Sequence, residues 1–204
     1  MHNSFRGSGR HYWVALRAML VLTAALGIVY PLAITGIAQV TMPNQANGSL
    51  VSSHGKIVGS TLIGQSFSTP QGNALARWFQ PRPSVAGYDA RSSGGSNLST
   101  TNPALASAIA YRAAAIEKLD GVRRGSIPAD ALTASGSGLD PQISPSYALL
   151  QVHRVAAKRG LSEERVRRMV ENSIQGRDLG FLGEPAVNVL ELNIALSDLD
   201  PAGN

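Results

Sequence analysis

The sequence predicts an α+β protein in three parts: a tail over residues 1–17, one membrane-spanning helix over 18–40, and a single domain over 41–204. Three observations carry this reading. Ala18 to Val40 runs for 23 residues without a charge. Residues 41–102 hold β-branched runs punctuated by glycine, the mark of short strands and turns. Beyond them Asn102-Pro103, Ser144-Pro145 and Ser162 are helix-opening signals, each ahead of an apolar-periodic run.

The uncharged stretch comes first. As a helix rising about 1.5 Å per residue it spans the roughly 30 Å hydrocarbon core of a bilayer. Pro31 near its middle is tolerated in lipid as a kink, because neighbouring helices and hydroxyls can satisfy the freed carbonyl. A cleaved signal peptide is the alternative, with Gly36-Ile37-Ala38 as a loose small-x-small site. Signal-peptide cores run only about 7 to 15 apolar residues, which favours an anchor. Arg6, Arg10 and Arg17 precede the span, and no basic residue follows it until Lys56. Positive flanks stay in the cytoplasm, so the tail is expected inside the cell and the domain outside, in the periplasm or its equivalent, on the inner (plasma) membrane. Thr23, Gly27, Tyr30, Pro31 and Gly36 give this helix small or weakly polar positions at which another helix can pack closely.

Within the domain, Lys56–Gly59 and Thr61–Phe67 are expected strands. Ala76–Asp89 is expected as an ordered loop, since Pro81 and Pro83 forbid regular helix. Asn102 caps a helix that stops at Gly121; Ser144 caps a second that stops at Gly160. Ser162 caps a third, with Glu163 and Glu164 in its positive first turn and Val166, Met169, Val170 and Ile174 on one face until Gly176. Pro185–Leu199 reads as a strand around Val187 and Val189, then a helix. Arg165, Arg167 and Arg168 read as a solvated helix face.

Composition excludes several functions. Of 18 basic residues three stand before residue 41, leaving 15 against 13 acidic ones, too even a balance for a nucleic-acid-binding face. With no cysteine and four histidines, none spaced as a metal-binding pair, neither a disulfide framework nor a zinc site is expected. His54 and His153 lack a G-x-S-x-G partner and are expected in structural roles. No Walker sequence is present, Gly55-Lys56 being followed by isoleucine, and neither is the Asp-Lys-Thr-Gly segment of aspartyl-phosphate pumps. Ser93-Gly94-Gly95-Ser96-Asn97, ahead of a helix start, invites comparison with a phosphate cradle. It departs from the L-S-G-G-Q signature at both ends, and ATP is a cytoplasmic ligand. A tight glycine turn that positions the helix from Pro103 is the expectation, with Gly94→Val impairing folding or assembly.

Seven segments in order carry a resemblance. Tyr30-Pro31-Leu32 lies in the span, followed by Asn44–Leu50 and by Gly59–Phe67, which includes Gly64, Gln65 and Phe67. Arg82-Pro83-Ser84, Ser93–Leu98, Leu132–Pro141 with Ser135, Gly138, Asp140 and Pro141, and Val187–Asn193 with Asn188 and Asn193 complete the series. Together they resemble the C subunit of the Kdp potassium-transporting ATPase, the KdpC family, over nearly the whole chain. Gln142 departs from the pattern, standing where many relatives carry histidine.

The resemblance implies a non-catalytic subunit of an ATP-driven potassium uptake complex, needed for assembly, with ATP and potassium handled by partners. Those partners are a channel-like potassium-translocating subunit, a P-type ATP-hydrolysing subunit and a small single-helix subunit. It also implies a catalytic-chaperone effect that raises the ATP affinity of the hydrolysing subunit; on the topology above, such an effect travels through the membrane helices. The alternative from the residues alone is a free-standing, membrane-anchored module binding a small solute.

Overall fold

Pro31 sets the local geometry of the first helix in the computed structural model, which describes residues 8–200. Arg6 and the rest of residues 1–7 lie outside the described residues. Helix α1 (Ser8–Ala24) passes into a π-helical turn, Ala25–Val29, and then into α2 (Tyr30–Thr41). A proline ring collides with the carbonyl four residues back, here Gly27, and donates no hydrogen bond. The wide turn meets both problems: the Tyr30 amide donates to the Ala25 carbonyl five residues back, and the helix continues. The expected accommodation of Pro31 thus takes place inside the helix backbone. The continuous helix Gly9–Thr41 is 33 residues long, with mean hydropathy 2.1 over an 18-residue window, long and apolar enough to cross a membrane. It begins well before Ala18, because nothing from Gly9 to Arg17 breaks helix. Thr23, Gly27, Tyr30, Pro31 and Gly36 are all exposed on it, and Thr23 lies closest to Gly27.

The chain divides between Ser49 and Leu50 into two compact units. The short helix α3 (Pro43–Ala46) closes the first, where the Asn47 and Gln39 side-chain amides pair with each other at 3.1–3.2 Å.

The second unit opens with a hairpin, β1 (Leu50–Ser53) and β2 (Lys56–Ser60), joined by His54-Gly55 with positive φ at both residues. β1 was not foreseen, and the expected strand over Thr61–Phe67 does not form. No neighbouring strand is offered to that run. Its polar groups go elsewhere: the Gly64 amide donates to the Leu139 carbonyl at 2.8 Å and Gln65 Nε2 to the Val58 carbonyl at 2.8 Å. Ala76–Asp89 is the ordered loop expected, with Phe79, Gln80 and Pro81 buried.

Helices then follow, with their caps where the sequence places them. Asn102 accepts from the Ala104 amide at the start of α4 (Pro103–Asp120), and Gly121 ends it at φ 69°. After α5 (Ala129–Leu132) and a two-residue strand β3 (Gln142–Ile143), Ser144 caps α6 (Pro145–Leu150). The expected single helix up to Gly160 breaks at Gln151, whose buried side chain is engaged elsewhere, and resumes as α7 (Val152–Arg159). Ser162 caps α8 (Glu163–Asn172), which stops short of Gly176 because Ile174 leaves the helix for strand β4 (Ile174–Gln175). β5 (Ala186–Asn188) ends one residue before Val189, where Asn188 caps α9 (Val189–Leu199).

The strands β3, β5 and β4 form an antiparallel sheet with β5 central, pairing Ile143 and Ile174 with Val187. Sheet and helices share one core of Phe79, Val152, Val155, Val166, Val170, Val187, Leu192 and Leu196. Arg159 lies over the Trp78 ring at 4.2 Å, and Phe67 packs on the same indole. Arg165, Arg167 and Arg168 are exposed as expected.

Asn188 links β5 to the segment after β2. Its Oδ1 accepts from the Leu190 and Glu191 amides, and its Nδ2 donates to the Thr61 carbonyl at 2.8 Å. Asn188→Ala is expected to cost about 2 kcal/mol, roughly half from the lost cap and half from the lost inter-segment bond. Asn188→Ser, which keeps a cap acceptor, should lose about half as much; urea unfolding of the two variants checks the division.

Candidate functional site

Four of the segments singled out in the sequence, Gly59–Phe67, Arg82–Ser84, Ser93–Leu98 and Leu132–Pro141, converge in space, and the glycines explain how. Gly64 sits so close to the Asp140 carbonyl that an added Cβ would lie 2.5 Å from its oxygen. At Gly95 a Cβ would meet the Gly136 carbonyl oxygen at 2.8 Å. At Gly138, with φ 69°, a Cβ would meet the Gly94 carbonyl oxygen at 2.8 Å and the Ala86 Cβ at 2.9 Å. Three loops therefore press backbone to backbone on the stretch Ser135–Asp140, and only glycine permits that approach.

Hydrogen bonds fix the contacts. The Ser135 amide donates to the Pro83 carbonyl at 2.9 Å, and Ser84 Oγ donates to the Gly138 carbonyl at 2.6 Å while accepting from the Tyr88 amide. Arg82 Nη1 pairs with Asp140 Oδ2 at 2.9 Å, and the other Asp140 oxygen accepts from the Gln142 amide. The Tyr88 hydroxyl donates to the Arg82 carbonyl. Burial first, and then the negative charge of Asp140, push that hydroxyl well above the ordinary tyrosine range, with Arg82 opposing, so Tyr88 stays a donor.

Ser93 Oγ and the Gly94 amide both donate to the Ser137 carbonyl, at 3.0 and 2.8 Å. The Gly94 amide, which a bound phosphate would need, is committed to that carbonyl. The expected importance of Gly94 moves one residue along: a Cβ there meets nothing within 4 Å, whereas Gly95 is wedged. No regular turn forms over Ser93–Asn97: the backbone runs irregularly there, with Asn97 at φ 51°.

The remaining motif residues tie this frame to the core. Pro141 accepts from the Val189 amide at 3.0 Å. Asn193 clamps Phe79, accepting from its amide at 2.9 Å and donating to its carbonyl at 3.0 Å. Phe67 offers its carbonyl to the Leu75 amide and to Gln80 Nε2. Gln142 reaches Gln175 across the exposed side of the sheet.

Sequence reasoning missed a second, buried network. Gln80 and Gln151 exchange hydrogen bonds at 2.7 and 3.1 Å, and Gln151 Oε1 also accepts from Arg154 Nη2 at 2.6 Å. Arg154 Nε pairs with Asp120 at 2.7 Å, while its Nη1 donates to the Ala76 and Trp78 carbonyls. Burial drives the Asp120 carboxyl above the usual carboxylate range, an effect that Arg154 opposes. The available signal was Gln151 and Arg154 three residues apart on an otherwise apolar helix face.

Of the two histidines, His54 sits in the hairpin turn 3.8 Å from Asp198 and His153 contacts Glu163, both pairs in solvent. Among the described residues no group of three or more His, Asp or Glu side chains is placed to hold a metal ion. A hollow of about 310 Å³ beside the frame is lined by Arg82, Asp130, Asp140, Gln142, Ser144 and Glu184. Asp130 is occupied there by the Ser144 amide and hydroxyl at 2.7 and 2.9 Å. The arrangement joins loops to one another.

A sequence model of the family described as "K+-transporting ATPase, c chain", KdpC, matches residues 12–198. The chain is 47% identical to the "Potassium-transporting ATPase KdpC subunit" of Streptomyces coelicolor, covering 100% of this chain and 99% of that one. It is 52% identical to the protein of the same name from Kineococcus radiotolerans, over 91% of this chain and 92% of the relative. Against that of Gemmatimonas aurantiaca the identity is 53%, over 90% and 92%.

Proposed function

The chain belongs to the KdpC family of K+-transporting ATPase c chains, and we propose that it serves its ATPase as a membrane-anchored assembly subunit that performs no chemistry itself. The match over residues 12–198 carries this reading, since it takes in both the apolar helix and the scaffold of interlocked loops. The helix Gly9–Thr41 holds the chain in the bilayer with Arg10 and Arg17 on the cytoplasmic side. The unit from Leu50 onward then stands outside the cytoplasm, a rigid body offered to the outer faces of its partners. Those partners are a channel-like potassium-translocating subunit, a P-type ATP-hydrolysing subunit and a small single-helix subunit. Any rise in ATP affinity passes to the hydrolysing subunit through packed membrane helices as a coupling free energy, which linkage makes reciprocal.

Mild-detergent extraction of the tagged full chain is expected to bring the other ATPase subunits with it. An export-dependent reporter fused at the carboxyl terminus should be active. A chain that extracts alone, or a silent reporter beside an active cytoplasmic one, would remove respectively the assembly role and the topology.

A further inference from the structure

Gln175 to Pro185 is a run of 11 consecutive exposed residues, the longest departure from the packed body of the second unit. At its tip Leu179 is 82% exposed, Phe181 69% and Leu182 50%. The run is nevertheless ordered. The Asp178 and Leu182 backbones exchange amide–carbonyl bonds at 2.9 Å, and Arg177 Nη2 pairs with Glu184 at 2.7 Å. Below it β4 and β5 are anchored to the core through Val187. A stiff hairpin therefore holds three large apolar side chains in water.

The turn residues point the same way. Leu179 at φ 52° and Gly180 at φ 82° have the sign pattern of a type I′ turn, whose first central position favours asparagine or glycine. A leucine there is strained by its own Cβ and, at this exposure, gains no packing within the chain in return. Its presence is accounted for by something it meets outside the chain.

Charge selects the class of that partner. With Arg177 neutralised by Glu184, the carboxylate of Asp178 is the remaining charge on the tip, and no ion pair holds it among the described residues. Loops that insert into anionic headgroups carry lysine and arginine, and a lone carboxylate is repelled there. An apolar pocket with a basic rim on a protein satisfies both features, the aromatic Phe181 serving as its central anchor.

We propose that the tip Leu179–Leu182 docks into such a pocket on another protein subunit of the same ATPase. This rests on the assembly reading above. The test compares co-purification of wild type and the double variant Leu179→Asn, Phe181→Ser, as full chains in mild detergent. Asparagine suits the turn, so the variant should melt at or above the wild-type temperature, yet retain about tenfold less of the other subunits or lower still. Equal retention overturns the docking and leaves the assembly role standing; a wild type that purifies alone overturns both. Photo-crosslinking in native membranes from p-benzoylphenylalanine at position 181 identifies the contact. A product identified as another subunit of the ATPase is the expected result, and a product with lipid or with a second copy of this chain overturns the proposal.

Discussion

Replacing Arg154 by methionine is expected to lower the unfolding free energy by about 3–5 kcal/mol, the cost of leaving a buried charge without its partner. The guanidinium is 3% exposed and Asp120 1%, so water cannot compensate the carboxylate. The Ala76 carbonyl loses its Arg154 donor in the same step, while the Trp78 carbonyl and Gln151 Oε1 each keep one bond from Gln80. Since whole domains are stable by only about 5–15 kcal/mol, this is a large share. Its pH dependence identifies the cause. Asp120 already has its carboxyl raised by burial, so the folded state binds its proton more tightly than the unfolded chain does. For a raised carboxyl the stability it supports is fully present below the unfolded value, about 3.9, and is lost as pH rises through the folded one. Without Arg154 the folded value climbs further. The deficit of Arg154→Met relative to wild type should be smallest in acid and widen toward neutral pH, read by denaturant titration of the full chain in micelles. A deficit that stays constant from acid to neutral pH would assign the loss to packing alone. Adding Asp120→Leu should recover a substantial part, because removing both charges is far less costly than removing one.

This network also shows where sequence reasoning stops. The caps at Asn102, Ser144 and Ser162 were legible because each is a local bargain between a side chain and an amide two or three residues away. Gln151 and Arg154 were not, since a polar residue on a helix looks solvent-facing until the loop Ala76–Gln80 arrives to receive it. Thr61–Phe67 reads as a strand for a similar reason. Its β-branched and aromatic residues report partial burial, and β pairing needs a neighbour that the sequence does not reveal. The three-stranded sheet is built from pieces of two and three residues, with Gln142 paired to Asn188, and no periodicity can build up over such lengths. In the candidate site the motif residues were all visible as motifs. Which glycine bears the load was not, because that depends on the carbonyls of residues 136–140 approaching from across the fold.

Gly138→Ala brings that distinction to a measurement. The position carries two independent penalties, and they add because they act on different degrees of freedom. Its φ of 69° places a β-carbon in the left-handed region, at a cost of about 1–2 kcal/mol. The same methyl must also displace the Gly94 carbonyl oxygen at 2.8 Å and the Ala86 Cβ at 2.9 Å, for which overpacking of about 1–3 kcal/mol is typical. The sum is about 2–5 kcal/mol. Moving the loop aside does not relieve it cheaply, since Gly138 is held by Ser84 through its carbonyl and by Ser135 Oγ through its amide. Gly94→Ala, directly across the same contact, opens onto empty space and should change stability by no more than about 0.5 kcal/mol. Thermal unfolding of the two full-length variants side by side decides the matter. Equal losses would mean that glycine is needed in this frame for chain flexibility, and a large gap in the stated direction means that it is needed at residue 138 for the left-handed φ and the close approach together.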